Sequence, residues 1–297
     1  MHSSRRDFLR TALGAGVLAG VGTAIPARAA RRAATDWVPL GKSGVRVTRL
    51  ALGTGTHSGR IQRELGQEQF TRMVRHAYDR GIRFFETADS YPGIPEMLAT
   101  ALKGIPRDTY RLMTKYNPQF LDGARDRIDA YRKQLNTDYF DILLLHCVRS
   151  PQWPSELQKL EDAFSEAKSR QAILAHGASV HGLPALRAFP GTRWLDIAMI
   201  RMNHKGVIMD SEPGAGGNQL GDVNEVVAHT RKMQAQGAGV ISMKLVGEGR
   251  FTQPEDREAS LKFAMNLGSV DAVTIGFKSI AEVDEAIERM NRVMNES

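Results

Sequence analysis

Residues 141–175 read DILLLHCVRSPQWPSELQKLEDAFSEAKSRQAILA, and this stretch decides the fold. Asp141 to Leu145 is an apolar run of strand length that stops at His146. Glu156 to Lys168 carries its apolar residues at helical spacing, and Ala172 to Ala175 is a second short apolar run. Two such strands joined by an amphipathic helix make a unit in which the strands lie parallel and the helix covers them.

The same unit repeats in both directions. Strands are expected at residues 48–53, 82–85 and 110–113 before it, and at 195–200, 239–243 and 272–275 after it. Further helices are expected at 67–80, 94–102, 123–135, 183–189, 223–236, 254–267 and 280–293. The first of these puts Phe70, Met73, Val74 and Ala77 on one face, and Gly81 ends it. Eight strands alternating with eight helices predict a closed (β/α)8 TIM barrel, one α/β domain over residues 37–297, rather than an open doubly wound sheet. The segment His204 to Gly221 is long and Gly-rich, and is expected to serve the active-site rim.

Composition fits this architecture. With 297 residues, 42% of them hydrophobic, the chain can bury one large core. The formal charge is +7, but Arg5, Arg6, Arg10 and Arg28, set against Asp7, concentrate three of those charges in the first 29 positions. No basic block is interleaved with aromatics, so nucleic acid is not an expected partner. The single cysteine, Cys147, excludes an intramolecular disulfide. His176, His181 and His204 stand near the fifth and sixth strands, but no HExxH or Cys pattern accompanies them, and no metal is expected.

The N-terminus reads as an address. SRRDFLR at residues 4–10 precedes an uncharged apolar run from Thr11 to Pro26 and a small-x-small Ala27-Arg28-Ala29. The apolar run is shorter than the ~20 residues of a spanning helix. The paired arginines with Phe8 and Leu9 resemble a twin-arginine signal, so residues 1–29 are expected to be a signal peptide and 30–36 a leader. That resemblance implies the twin-arginine export machinery as a partner and a periplasmic or extracytoplasmic destination.

In such a barrel, chemistry sits at the C-terminal ends of the strands. The second strand ends in Glu86, with Asp89 and Tyr91 just beyond, the third in Thr114-Lys115, and the fourth in His146. The fifth is followed by His176, Ser179 and His181, the sixth by Arg201 and Asn203, and the seventh by Lys244. A phenol has an ordinary pKa near 10, too high for an efficient acid at neutral pH, and a neighbouring ammonium would lower it. Tyr91, Lys115, His146 and Glu86 therefore make a candidate proton-transfer set, with Glu86 holding the lysine and His146 orienting a substrate oxygen. Gly53-Thr54-Gly55 after the first strand lets backbone approach a ligand closely.

Several motifs in order carry a family resemblance. LGKSGVRVTRLALGTGT (40–56), GIRFFETADSY (81–91), RLMTKY (111–116), LNTDYFDILLLHCV (135–148), GAGVISMKLVGEG (237–249) and TIGFKSIAEVDEAI (274–287) resemble the aldo/keto reductase family. The resemblance implies a hairpin before the first strand, catalytic Tyr91, Lys115 and His146, and NADP as cofactor. It assigns Gly53, Thr54, Gly55, Ser179, Lys244, Gly276, Lys278 and Ser279 to cofactor binding. This chain departs from the pattern in several places. Glu86 stands for an Asp, Val180 and His181 follow Ser179, Met199 and Met202 replace a Gln and a Tyr, and Glu282 stands where an Arg is common. The implied activity is carbonyl/alcohol interconversion on a small carbonyl or sugar substrate. The same residues leave open a redox-neutral acid/base enzyme and a non-enzymatic binding barrel.

Overall fold

The computed structural model describes residues 31–212 and 220–296. The expected signal at residues 1–29 lies outside the described residues, as does residues 213–219 of the loop after the sixth strand. Residues 32–297 form one compact unit.

β1 (Trp37–Pro39) and β2 (Arg46–Thr48) pair antiparallel as a hairpin. Eight strands then close a parallel barrel. They are β3 (Leu50–Gly53), β4 (Phe84–Glu86), β5 (Arg111–Tyr116), β6 (Phe140–Val148), β7 (Ile173–Val180), β8 (Ile197–Arg201), β9 (Gly239–Met243) and β10 (Ala272–Gly276). Helices lie between consecutive strands: α1 (Arg60–Glu64), α2 (Gly66–Asp79), α3 (Ile94–Leu102), α4 (Ala124–Gln134), α5 (Trp153–Glu156), α6 (Gln158–Ser169), α7 (Leu183–Ala188), α8 (Val223–Gln236) and α9 (Pro254–Asn266), with α10 (Ile280–Val293) closing the chain. The expected (β/α)8 TIM barrel is the observed architecture. No helix among the described residues is long and apolar enough to cross a membrane.

Three details differ from the sequence expectation. The strand expected at 48–53 is two strands, because the Thr48 hydroxyl donates to the Leu50 carbonyl and accepts from the Arg83 N–H, turning the chain at Arg49. The fourth and fifth barrel strands run on past their apolar cores, because β6 and β7 stay paired as far as Val148 and Val180 across an irregularity after Leu145. The short helices α1 and α5 also form within strand-to-helix connections.

Strand alternation explains where side chains go. Ala51, Phe84, Met113, Ile142, Leu144, Ala175, Ile197, Met199, Ile241, Met243 and Ala272 fill the barrel interior. Their neighbours Leu52, Phe85, Leu112, Leu143 and Leu145 face the helices. The hairpin residues Val38, Leu40, Val45 and Val47 join the interior cluster. The backbone at Leu40 and Gly41 packs against Gly237 to Gly239, where β9 begins. The hairpin thus plugs the N-terminal mouth, each fully buried Leu or Val contributing roughly 1.5–3 kcal/mol. The other mouth, at the strand C-termini, is left for polar groups.

Candidate active site

The same alternation lifts polar side chains into the open mouth. Two residues after inward Phe84 comes Glu86, two after Met113 comes Lys115, and two after Leu144 comes His146. Lys115 Nζ donates to Glu86 Oε1, to the Thr87 carbonyl at 3.0 Å and to the Tyr91 hydroxyl at 3.3 Å. The Tyr91 and His146 rings meet edge to face with centroids 5.5 Å apart. All four predicted catalytic side chains are brought together, and all are buried.

Glu86 is held from two sides. One oxygen takes the lysine, and the other accepts from the Thr54 N–H at 3.3 Å. The Thr54 hydroxyl donates to the Glu86 carbonyl at 2.9 Å. Thr54, assigned by resemblance to the cofactor, spends its N–H on this carboxylate and its hydroxyl on the same residue's backbone. The longer side chain thus ties the loop after β3 to the lysine on β5.

Electrostatics correct one expectation. Burial pushes the Tyr91 phenol above its ordinary value near 10, with Cys147, Glu248 and Asp89 acting the same way. The lowering expected from Lys115 is not seen; burial dominates. Tyr91 therefore rests as a protonated acid. Burial pulls Lys115 down to about 7. His146 falls well below 6.5, through burial first and then the Lys115 and Lys244 charges, so its imidazole is neutral. Ser90 Oγ lies 2.8 Å from His146 Nδ1. With the hydroxyl donating there, Nε2 carries the ring proton and can donate to a substrate oxygen.

Beside Tyr91 is a small space of about 70 Å³ lined by Gly53, Gly55, Met199, Lys244 and Gly276. It meets a cleft of about 560 Å³ between the loops after β3, β9 and β10 and helix α10. Thr56, Val246, Glu248, Ile275 and Gly276 border both. Glycine is required at two of these points. A Cβ on Gly55 would lie 2.4 Å from the Tyr91 oxygen, and one on Gly276 would lie 2.1 Å from Thr56 Oγ1.

The remaining predicted binding residues are already engaged. Lys244 pairs with Glu248 at 2.6 Å. Burial would push Glu248 up, but bonds from Lys244 and the His57 N–H hold it below the ordinary carboxylate range. Ser179 Oγ accepts from the Cys147 N–H at 3.0 Å. Ser279 is the N-cap of α10 and accepts from the Glu282 N–H at 3.2 Å. Lys278 lines the cleft beside Glu282.

Other sequence candidates fall elsewhere. His176 points outward, because Ala175 points inward, and stacks on Trp194 with centroids 4.4 Å apart. His204 packs near Phe251. No group of three metal-ligating side chains comes together among the described residues. Met199 and Met243 face the barrel interior, but Met202 and Met209 lie in the outer core. Arg201 forms a buried ion pair with Asp210, which also accepts from the Gly182 N–H, so the loop after β8 is anchored at its base. Sequence reasoning missed Ser90 and the approach of Cys147 Sγ to within 3.4 Å of His181 Nδ1. Cys147 has φ 57° at the β6 irregularity, a conformation that residue type does not announce.

Comparison with known proteins gives a consistent answer. The model of the Aldo/keto reductase family matches residues 49–297. L-galactose dehydrogenase of Arabidopsis thaliana is 22% identical over 299 residues, covering 84% of this chain and 86% of that protein. An aldo-keto reductase from Bacillus halodurans in its holo form superposes with a TM-score of 0.68 at 16% identity, covering 88% of this chain and 95% of that one. One from Klebsiella pneumoniae in complex with NADPH gives 0.62 at 18% identity, covering 86% and 89%. The structural likenesses bear on the fold alone. With the family model spanning the whole barrel and the Tyr91–Lys115–His146 set in its mouth, this chain belongs to the aldo/keto reductase family.

Proposed function

We propose that the protein interconverts a carbonyl compound and its alcohol using a nicotinamide dinucleotide. The observation that carries this reading is a buried Tyr91 hydroxyl bonded to Lys115, lining a small glycine-bordered space that opens into the larger cleft. When bound, the dinucleotide supplies or accepts the hydride. Gly53, Gly55 and Gly276 would let it approach the barrel mouth, since no side chain stands between the cleft and Tyr91 at those points. His146 Nε2 would bind the substrate oxygen and Tyr91 would deliver the proton to it. Lys115, fixed by Glu86, would stabilise the phenolate left behind.

The name of the Arabidopsis relative, an L-galactose dehydrogenase, supports a sugar or small carbonyl as substrate, and the NADPH bound to the Klebsiella protein supports a nicotinamide cofactor. Purified protein with reduced nicotinamide dinucleotide and a panel of small aldehydes, ketones and aldoses should consume reduced nicotinamide only when both are present. Substrate turnover without any nucleotide would replace this reading with redox-neutral acid/base chemistry.

We also propose twin-arginine export, on the strength of SRRDFLR and the short apolar run behind it. Replacing Arg5 and Arg6 together by Lys should retain the protein in the cytoplasmic fraction. Unchanged export of that variant would reject the assignment.

A further inference from the structure

The start of α10 is occupied by the chain's own carboxylate. Glu282 Oε2 accepts from the Lys278 N–H at 2.8 Å, and Glu282 Oε1 lies 3.6 Å from Lys278 Nζ. Ser279 Oγ accepts from the Glu282 N–H at 3.2 Å. Residues 279–282, Ser-Ile-Ala-Glu, carry the capping-box sequence, but the Glu282 carboxylate reaches the N–H of Lys278, one residue before the cap, and faces that lysine's ammonium. An anion at a helix N-terminus is favourable, and here the protein supplies it.

The rest of the cleft is balanced in the same way. Arg257 pairs with Glu285 at 2.8 Å, and Arg289 pairs with Glu258 and Glu285 at 2.6 and 2.8 Å. Glu248 holds Lys244 where the cleft meets the inner space. Each cationic side chain lining this cleft, Lys278, Arg257 and Arg289, already has a carboxylate partner. A second dianionic phosphate on a ligand would have to displace Glu282 and then lie beside its charge. A ribose hydroxyl would instead find in Glu282 an acceptor.

We propose that Glu282 makes this cleft select a nicotinamide dinucleotide with a free 2′-hydroxyl over its 2′-phosphorylated form. The selection rests on the dinucleotide reading above. It reverses the NADP expectation drawn from Lys278 and Ser279, because Ser279 caps the helix and Lys278 is tied to Glu282.

The test is a fluorescence titration of the full chain with NADH and with NADPH, without substrate. NADH should bind roughly tenfold tighter or better. Glu282→Gln keeps an amide oxygen that can accept from the Lys278 N–H, so the helix start should hold, while the charge is lost. In that variant the ratio should move toward NADPH by about the same factor, with an unchanged melting temperature. NADPH binding as tightly as NADH to the native protein, or a ratio unmoved by Glu282→Gln, overturns the selection while leaving the dinucleotide reading intact. Binding of neither nucleotide overturns both.

Discussion

Replacing Tyr91 by Phe is expected to lower carbonyl reduction by about 10²- to 10⁴-fold and to leave dinucleotide affinity unchanged. The phenol oxygen is what separates this residue from a packing ring. It touches Lys115 Nζ at 3.3 Å and lies where a side chain on Gly55 would collide with it. Removing it costs the lysine one acceptor, but Glu86 and the Thr87 carbonyl remain, so the fold should persist. Steady-state turnover beside a nucleotide titration separates the two effects. A variant that reduces carbonyls at the native rate would show that the proton comes from elsewhere.

Lys115→Met should damage both turnover and stability. Glu86 is buried, and its ammonium partner is equally buried. Leaving one charge of such a pair alone costs ~3–5 kcal/mol. Adding Glu86→Gln should recover much of that stability but none of the activity, because the phenolate still lacks its cation. Thermal melting of the single and double variants beside their turnover would show it; a Lys115→Met protein as stable as the native one would contradict the buried pair.

The native lysine also sets a pH dependence. Burial lowers its pKa from 10.5 to about 7. Reduction should fall as pH rises through about 7, because the phenolate loses its ammonium. The residual turnover of Lys115→Met should lack this dependence.

Much of this was legible in residue order. Apolar strands alternating with amphipathic helices gave the barrel, and the first polar residues past the strands gave Glu86, Lys115 and His146. The period of two along a strand does the positioning, since each of these stands one pleat above an inward core residue. Applied strictly, the same period would have turned His176 outward, away from the mouth, as observed. Ser90 could not be found this way, because its bond to His146 joins the loop after β4 to a strand 56 residues further on. Cys147 approaches His181 only because the backbone at the β6 irregularity turns it there. The Ser279–Glu282 spacing was readable as a helix-start motif, but the same residues also resemble a phosphate grip, and only the geometry shows Glu282 holding the Lys278 N–H.

The central claim, that this barrel mouth passes hydride and proton to one carbonyl, is tested most directly by isotope transfer. Reduced dinucleotide carrying deuterium at the transferring carbon of its nicotinamide should leave that deuterium on the carbinol carbon of the product, in native protein and at a much lower rate in Tyr91→Phe. Product that forms at the native rate without deuterium, or without any dinucleotide, would contradict the account.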